Sequence, residues 1–413
     1  MRVATLLTST AALLTLAAGT ALLTGPDAQS QTRAPTPARY DMDVGTASGM
    51  GFGGMGGGSF NPLDMLRGRG NEPRKEVYLR LGSAQAPTGG APQADHFLPS
   101  GARLGTSVPL VTPQAAPETE GDRVPGQPNG ERPRGRILIF WGCGARAPAG
   151  QPVVIDFARL SAGQVPPGLF STTVPRDRSV TFGGSRTYGD WPNSRSRASV
   201  GPQSSLLGAH RVAGNYSPEM AFTLAQDFMP ALTATGAAQP DGVTQLAWNS
   251  VANATGYYAW TMGFRGAPGG EGGDMVWWSS STSQQFGGAL WDWISPGTVG
   301  TLVRDRVVLP PTQTSCLVPA EVKQAAPDFM SGNLYAYGPE ENFAFPPRPA
   351  NARTPWNPIW TARVRYRSST SWMIGGPGTE ANNGAQLAEP SRRCRRRGGL
   401  GGALGGALGL PSC

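Results

Sequence analysis

The most chemically expressive residues in this 413-residue chain are two close groups of tryptophans: Trp277-Trp278, followed by a hydroxyl run over residues 279–283, and Trp291-Asp292-Trp293. Neighbouring side chains on a strand point to opposite faces, so at most one ring of each neighbouring pair enters a core and at least one is exposed or covered by a loop. An exposed indole beside Asp292 and Gln284 has the makings of a sugar-binding platform. Its face stacks on the C–H face of a pyranose while polar groups hold the hydroxyls. The competing arrangement folds long loops back over these rings as a second core.

Other residues that could do chemistry are sparse. The two histidines, His96 and His210, have no His, Cys or carboxylate at ligand spacing, and each reads as a surface or hydrogen-bonded residue. No H-E-x-x-H, G-x-S-x-G or P-loop pattern occurs, so no metal and no cofactor is expected. Glu271, Asp274 and Asp292 could form a carboxylate pair. The first two, however, sit in a glycine-rich loop with no apolar wall to shift a pKa. The four cysteines, Cys143, Cys316, Cys394 and Cys413, are too far apart for a redox pair or a zinc ribbon. Cys394 to Cys413 is the shortest loop to close, connectivity stays open, and Cys143 reads as a small core hydrophobe.

The N-terminus has the pattern of an export signal. Arg2 precedes an apolar run over residues 3–23, and Ala28-Gln29-Ser30 offers a small-residue cleavage site, so the mature chain is expected to start near Gln31. The formal charge of +8 comes from 35 basic and 27 acidic residues, and five of the charges are Arg392, Arg393, Arg395, Arg396 and Arg397. Without them the body carries 8 − 5 = +3. Only Lys75 and Lys323 are lysines, a bias of genome composition more than of guanidinium chemistry, and nucleic acid is not an expected partner. After the arginines, Gly398, Gly402 and Gly406 alternate with Leu400, Leu404 and Leu408 at period four. Such a tail could rest against an anionic membrane surface or be plain low-complexity chain.

What must position these groups is β-structure. The 58 Gly and 39 Pro require loose segments to alternate with ordered ones, and the 11 Trp place the ordered mass between about residues 75 and 375. Residues 1–30 read as signal peptide, 31–72 as a disordered Gly/Pro-rich linker with a helical turn over 61–66, and 376–413 as an Arg/Gly-rich tail. In a first β-sandwich over 73–215, strands are expected at 76–81, 104–111, 136–141, 152–157, 179–182 and 210–212, with 191–199 as a surface loop. In a second over 216–375, they are expected at 220–224, 244–251, 256–260, 275–278, 301–309, 334–337, 343–345 and 360–366. Leu246, Trp248 and Val251 should face inward, a turn over 252–256 should follow, and Tyr258 and Trp260 should share a face of the next strand. No stretch shows sustained helical periodicity, and the fold class is all-β, two antiparallel sandwiches in tandem.

The run Leu246-Ala-Trp-Asn-Ser-Val251, then Ala254 and Gly256-Tyr-Tyr258, resembles the second and third strands of a fibronectin type III domain, and Leu309-Pro-Pro-Thr-Gln-Thr314 is similar to that family's turn before the sixth strand. Ser315 and Cys316 stand where the family carries its corner tyrosine. The resemblance implies a sandwich with Trp248 packed between its sheets, in a module that binds or spaces. The expectation is an exported, non-catalytic protein of a bacterial-type cell envelope, in the periplasm, on the outer surface or outside the cell. It would be structural or adhesive and act through loops and exposed aromatics on an envelope polysaccharide or protein. The alternatives are a carbohydrate-binding protein using Trp277 to Trp293 and a hydrolase whose site is built from distant loops.

Overall fold

A computed structural model describes residues 36–49, 73–113, 135–161, 163–164, 169–175, 179–196, 198–266, 273–327, 329–351 and 353–374. Its strands are β1 (Ala38–Gly49), β2 (Arg74–Ser83), β3 (Ala94–Phe97), β4 (Ser107–Leu110), β5 (Gly135–Trp141), β6 (Val153–Asp156), β7 (Thr187–Trp191), β8 (Gly208–Gly214), β9 (Met220–Leu224), β10 (Ala234–Ala238), β11 (Thr244–Trp248), β12 (Gly256–Gly266), β13 (Gly273–Ser279), β14 (Ser315–Val318), β15 (Phe329–Phe345) and β16 (Trp360–Ile374). Three short helices join them: α1 (Phe157–Ser161), α2 (Pro296–Arg304) and α3 (Ala320–Ala325). The all-β class holds.

Nine strands form one sheet in the order β6-β5-β13-β12-β15-β16-β1-β2-β7, parallel where β5 meets β13 and where β1 meets β16. Alternation gives every strand two faces. On one face Met42, Leu79, Tyr257, Trp278, Leu334 and Val364 pack against two smaller sheets, β10-β11-β14 and β4-β3-β8-β9. On the other face Ile139, Trp260, Trp277 and Tyr337 form a second core with Leu290, Val299 and Leu302 from residues 280–309.

This layout differs from two tandem sandwiches. Strands on both sides of the expected boundary at residues 215 and 216 share the large sheet, and β9, expected to open the second body, pairs with β8 of the first. All described residues belong to one compact unit. Residues 38–49, expected within a disordered linker, form the long buried strand β1 between β16 and β2. The Gly and Pro around this segment hid a clear period-two pattern, Tyr40, Met42 and Val44 facing one way and Asp41 and Asp43 the other. Residues 1–35, expected to begin with a signal peptide, residues 50–72 and residues 375–413 lie outside the described residues.

Three local readings also change, the first being that residues 179–182, expected as a strand, form none. Residues 301–309, expected as a strand, carry the end of α2 and the turn after it. The Ser295 hydroxyl accepts the Thr298 N–H at 3.4 Å, Pro296 occupies the first turn, and Val299 and Leu302 are buried three apart, all marks of a helix start. The segment over residues 244–260 is not a hairpin within one sheet. β11 lies in the three-stranded sheet and β12 in the large one, so Trp248 packs across the gap on Tyr257 at 5.7 Å, while Tyr258 and Trp260 face the opposite core. Trp248 is buried between sheets, as the sandwich expectation requires.

Cys143, just after β5, is bonded to Cys316 of β14, 173 residues away, which ties the three-stranded sheet to the large one. Cys143 is therefore a cross-link and not a lone core residue. Closing so long a loop restricts the unfolded chain, and the double variant Cys143→Ala with Cys316→Ala should lose about 2–5 kcal/mol in a denaturant titration. A loss below about 1 kcal/mol would contradict the constraint.

Candidate functional site

The tryptophan region is assembled from β12, β13 and the connection that follows β13. Trp277 and Trp278 point to opposite faces, as alternation demands, but both faces are covered and both rings are fully buried. Of the two arrangements open to this pair, exposed or covered by a loop, the covered one is found. Trp277 stacks on Trp260 at 4.7 Å and 15°, Trp260 on Trp291 at 5.2 Å, and Phe286 meets Trp277 edge-on at 5.2 Å. The Trp277 indole N–H donates to the Gln285 carbonyl at 2.8 Å, and that of Trp278 to the Gly142 carbonyl at 2.9 Å. These rings are packing residues, and no sugar can reach the faces of Trp277 or Trp278. Asp292 is exposed, and its carboxylate accepts the Trp293 N–H at 2.7 Å. Residues Arg392, Arg393, Arg395, Arg396 and Arg397 lie outside the described residues.

Trp293 leads to a feature that the sequence reading missed. Its ring lies against Gly45 of β1, where a Cβ would already meet Trp293 Cζ2 at 3.4 Å, and the Arg367 guanidinium sits 3.7 Å above its centre. Along the same face, the parallel register sets Asp41 beside Arg363 and Asp43 beside Arg365. Arg365 is bidentate on Asp43, at 2.7 Å from Nε and 3.0 Å from Nη2, and both side chains are almost fully buried. Arg80 of β2 donates to the same carboxylate from its other side. The remaining Arg365 donor, Nη1, meets the Trp293 carbonyl at 2.6 Å. Arg363 reaches Asp41 at 3.1 and 3.3 Å, and Asp41 also accepts the Val180 N–H at 2.6 Å. Two carboxylates, three guanidinium groups and a loop carbonyl thus form one network, with Asp41, Asp43 and Arg365 buried and Arg80 and Arg363 partly exposed at its edges. The signal was the matched Asp-x-Asp of β1 and Arg-x-Arg of β16, visible only once the two strands are known to be neighbours.

The second missed constellation joins the two histidines. His96 of β3 and His210 of β8 are buried, with His96 Nε2 2.9 Å from His210 Nδ1. The Tyr40 hydroxyl of β1 is 2.5 Å from His96 Nδ1, and His210 Nε2 is 2.7 Å from the Leu206 carbonyl. A carbonyl only accepts, so His210 donates from Nε2. Its Nδ1 then accepts from His96 Nε2–H, and His96 Nδ1 accepts from Tyr40. Both rings are neutral in this arrangement and every ring nitrogen is used. Burial first, and then the facing His210, holds His96 well below the ordinary histidine range; burial lowers His210 as well.

Among the described residues no three His, Cys, Asp or Glu side chains gather as a metal-binding group. Compared with known proteins, the chain matches no family model, no curated protein and no solved structure.

Removing one partner of a buried ion pair strands the other charges. Asp43→Ala should therefore cost about 3–5 kcal/mol by urea titration, and Asp43→Leu combined with Arg365→Met and Arg80→Met should recover most of it. A cost below about 1 kcal/mol for Asp43→Ala would show that the network is dispensable. Trp277→Ala should likewise lower stability by about 3–5 kcal/mol as a core truncation; an unchanged midpoint would contradict its buried stack.

Proposed function

We propose that this protein is an exported, non-catalytic module of the bacterial cell envelope, structural or adhesive, built around a fibronectin type III-like sandwich. The observation that carries export is the Cys143–Cys316 bond. Such bonds persist in oxidising compartments and are rare where thiols are kept reduced, which fits the basic and then apolar start of the chain.

The strand order supports the sandwich part of the reading. Counted from β10, the first, second and fifth strands form the small sheet β10-β11-β14, and the third, fourth, sixth and seventh are the run β13-β12-β15-β16 of the large one. That is a Greek-key division between two facing sheets, with Trp248 and Tyr257 meeting in the gap. On this reading residues 234–374 are the module, and the N-terminal strands extend its larger sheet on both sides.

A structural or adhesive role is supported by where the reactive side chains are committed. The histidines, the buried aspartates and the stacked indoles are engaged with one another inside the molecule. Two of the exposed large apolar side chains lie together at the connection from β15 to β16. Phe345 is 52% and Ile359 44% exposed, and the Ile359 N–H donates to the Phe345 carbonyl at 2.7 Å. Arg348 lies 5.6 Å over the Trp356 ring in the same connection. Such a patch fits a contact with an envelope protein.

Fractionation of cells producing the full chain, followed by non-reducing peptide mapping, tests export: the protein should be recovered outside the cytoplasm with Cys143 linked to Cys316. Recovery in the cytoplasm with both thiols free would overturn the reading. For adhesion, Phe345→Ser with Ile359→Ser should reduce co-sedimentation with isolated envelopes several-fold without altering the unfolding midpoint; unchanged sedimentation would remove that surface.

A further inference from the structure

We propose that the chain Tyr40–His96–His210–Leu206 is an acid-sensitive latch that holds the four-stranded sheet β4-β3-β8-β9 onto β1 at neutral pH and lets it go when the surroundings become acidic. The geometry carries this. The latch crosses the interface between the two sheets, with Tyr40 on β1 and both histidines on the smaller sheet, and its donors and acceptors are used up in the neutral state. An added proton on His210 turns both its nitrogens into donors. His96 must then accept at Nε2 and donate from Nδ1, and the Tyr40 hydroxyl, now an acceptor, loses the acceptor for its own hydrogen. A second proton sets two imidazolium N–H groups 2.9 Å apart. No rearrangement inside the closed interface accommodates both.

The surroundings offer little to hold the charge. From β9, Phe222 stacks on His210 at 5.4 Å and 3°; from β15 come Phe343, stacked on Phe222, and Glu341. Glu341 is the acidic group whose charge acts on His210, and its oxygens already accept from the Tyr366 hydroxyl at 2.6 Å and the Ala225 N–H at 3.1 Å. From β1 only Tyr40 enters the chain. Asp41 and, from β2, Arg80 act on Tyr40 through the sheet, and Tyr216 faces it from between β8 and β9. The folded values of both histidines lie below 6.5. Their contribution is therefore complete above about pH 6.5 and is lost progressively as pH falls through that value.

Hydrogen exchange on the full chain at pH 7.5 and 5.0, corrected for intrinsic rates, reads the latch directly. Exchange in β3 and β8 should accelerate by up to about 30-fold for each histidine that regains an ordinary pKa on opening, with β12, β15 and β16 unchanged. His96→Gln with His210→Gln should abolish the acceleration, while Glu76→Gln, a half-buried carboxyl on the opposite face, should retain it. Equal protection at both pH values, or an acceleration that survives in the double variant, overturns the proposal. If the double variant does not fold, nitrogen-15 histidine spectra of the unaltered protein decide. Both rings should stay neutral while β3 and β8 remain protected, and a ring that titrates near 6.5 within the protected sheet overturns the latch.

Discussion

The fold depends on β1 being seated between β16 and β2. Without it the nine-stranded sheet would break into β6-β5-β13-β12-β15-β16 on one side and β2-β7 on the other. The four-stranded sheet, which rests on Tyr40 and Met42, would lose its support. On one face the seat is apolar. On the other it is set by Asp41 and Asp43 against Arg363 and Arg365, with Arg80 closing from β2. A one-residue slip of β1 would carry both aspartates into the apolar core and Met42 into the charged stripe. Buried ion pairs add little net stability against well-packed hydrophobic residues of similar size, but they penalise every wrong register heavily, and specificity of register is the role they fit here.

Much of this was legible and some was not, for definite reasons. Strands such as residues 76–81, 136–141, 220–224 and 360–366 were readable because each carries its own alternation or continuous apolar run. β1 carries an equally clear alternation, yet the Gly and Pro on both sides diluted it. The helix at Pro296–Arg304 was hidden by Val303, Val307 and Val308, whose β-branching resembles a strand, although Ser295-Pro296 marks a helix start. The tryptophan pair left two arrangements open because alternation says which way a ring points but not whether that face is covered, and here residues 280–309 fold over the second face. His96 and His210 are 114 residues apart, and no local spacing announces a contact that depends on the pairing of β3 with β8.

These corrections bear on function in one direction. Groups that looked available for ligands in the chain are, in the folded molecule, committed to each other: indoles to indoles, aspartates to arginines, one imidazole to the other. Of the exposed large apolar side chains, Phe345 and Ile359 lie at the connection from β15 to β16, whereas Phe170 lies against Phe286 at the edge of the tryptophan stack. The body is covered on both faces of its main sheet and cross-linked through Cys143 and Cys316, which supports the proposed structural or adhesive reading.

Cross-linking across the β1–β16 pair tests the central claim most directly. In the parallel register Met42 stands beside Val364, so Met42→Cys with Val364→Cys in the full chain should form a disulfide on mild oxidation, found by peptide mapping. The one-residue shift, Met42→Cys with Arg365→Cys, should not. Cross-linking of the shifted pair with none in the first would mean that β1 does not lie where this account requires it.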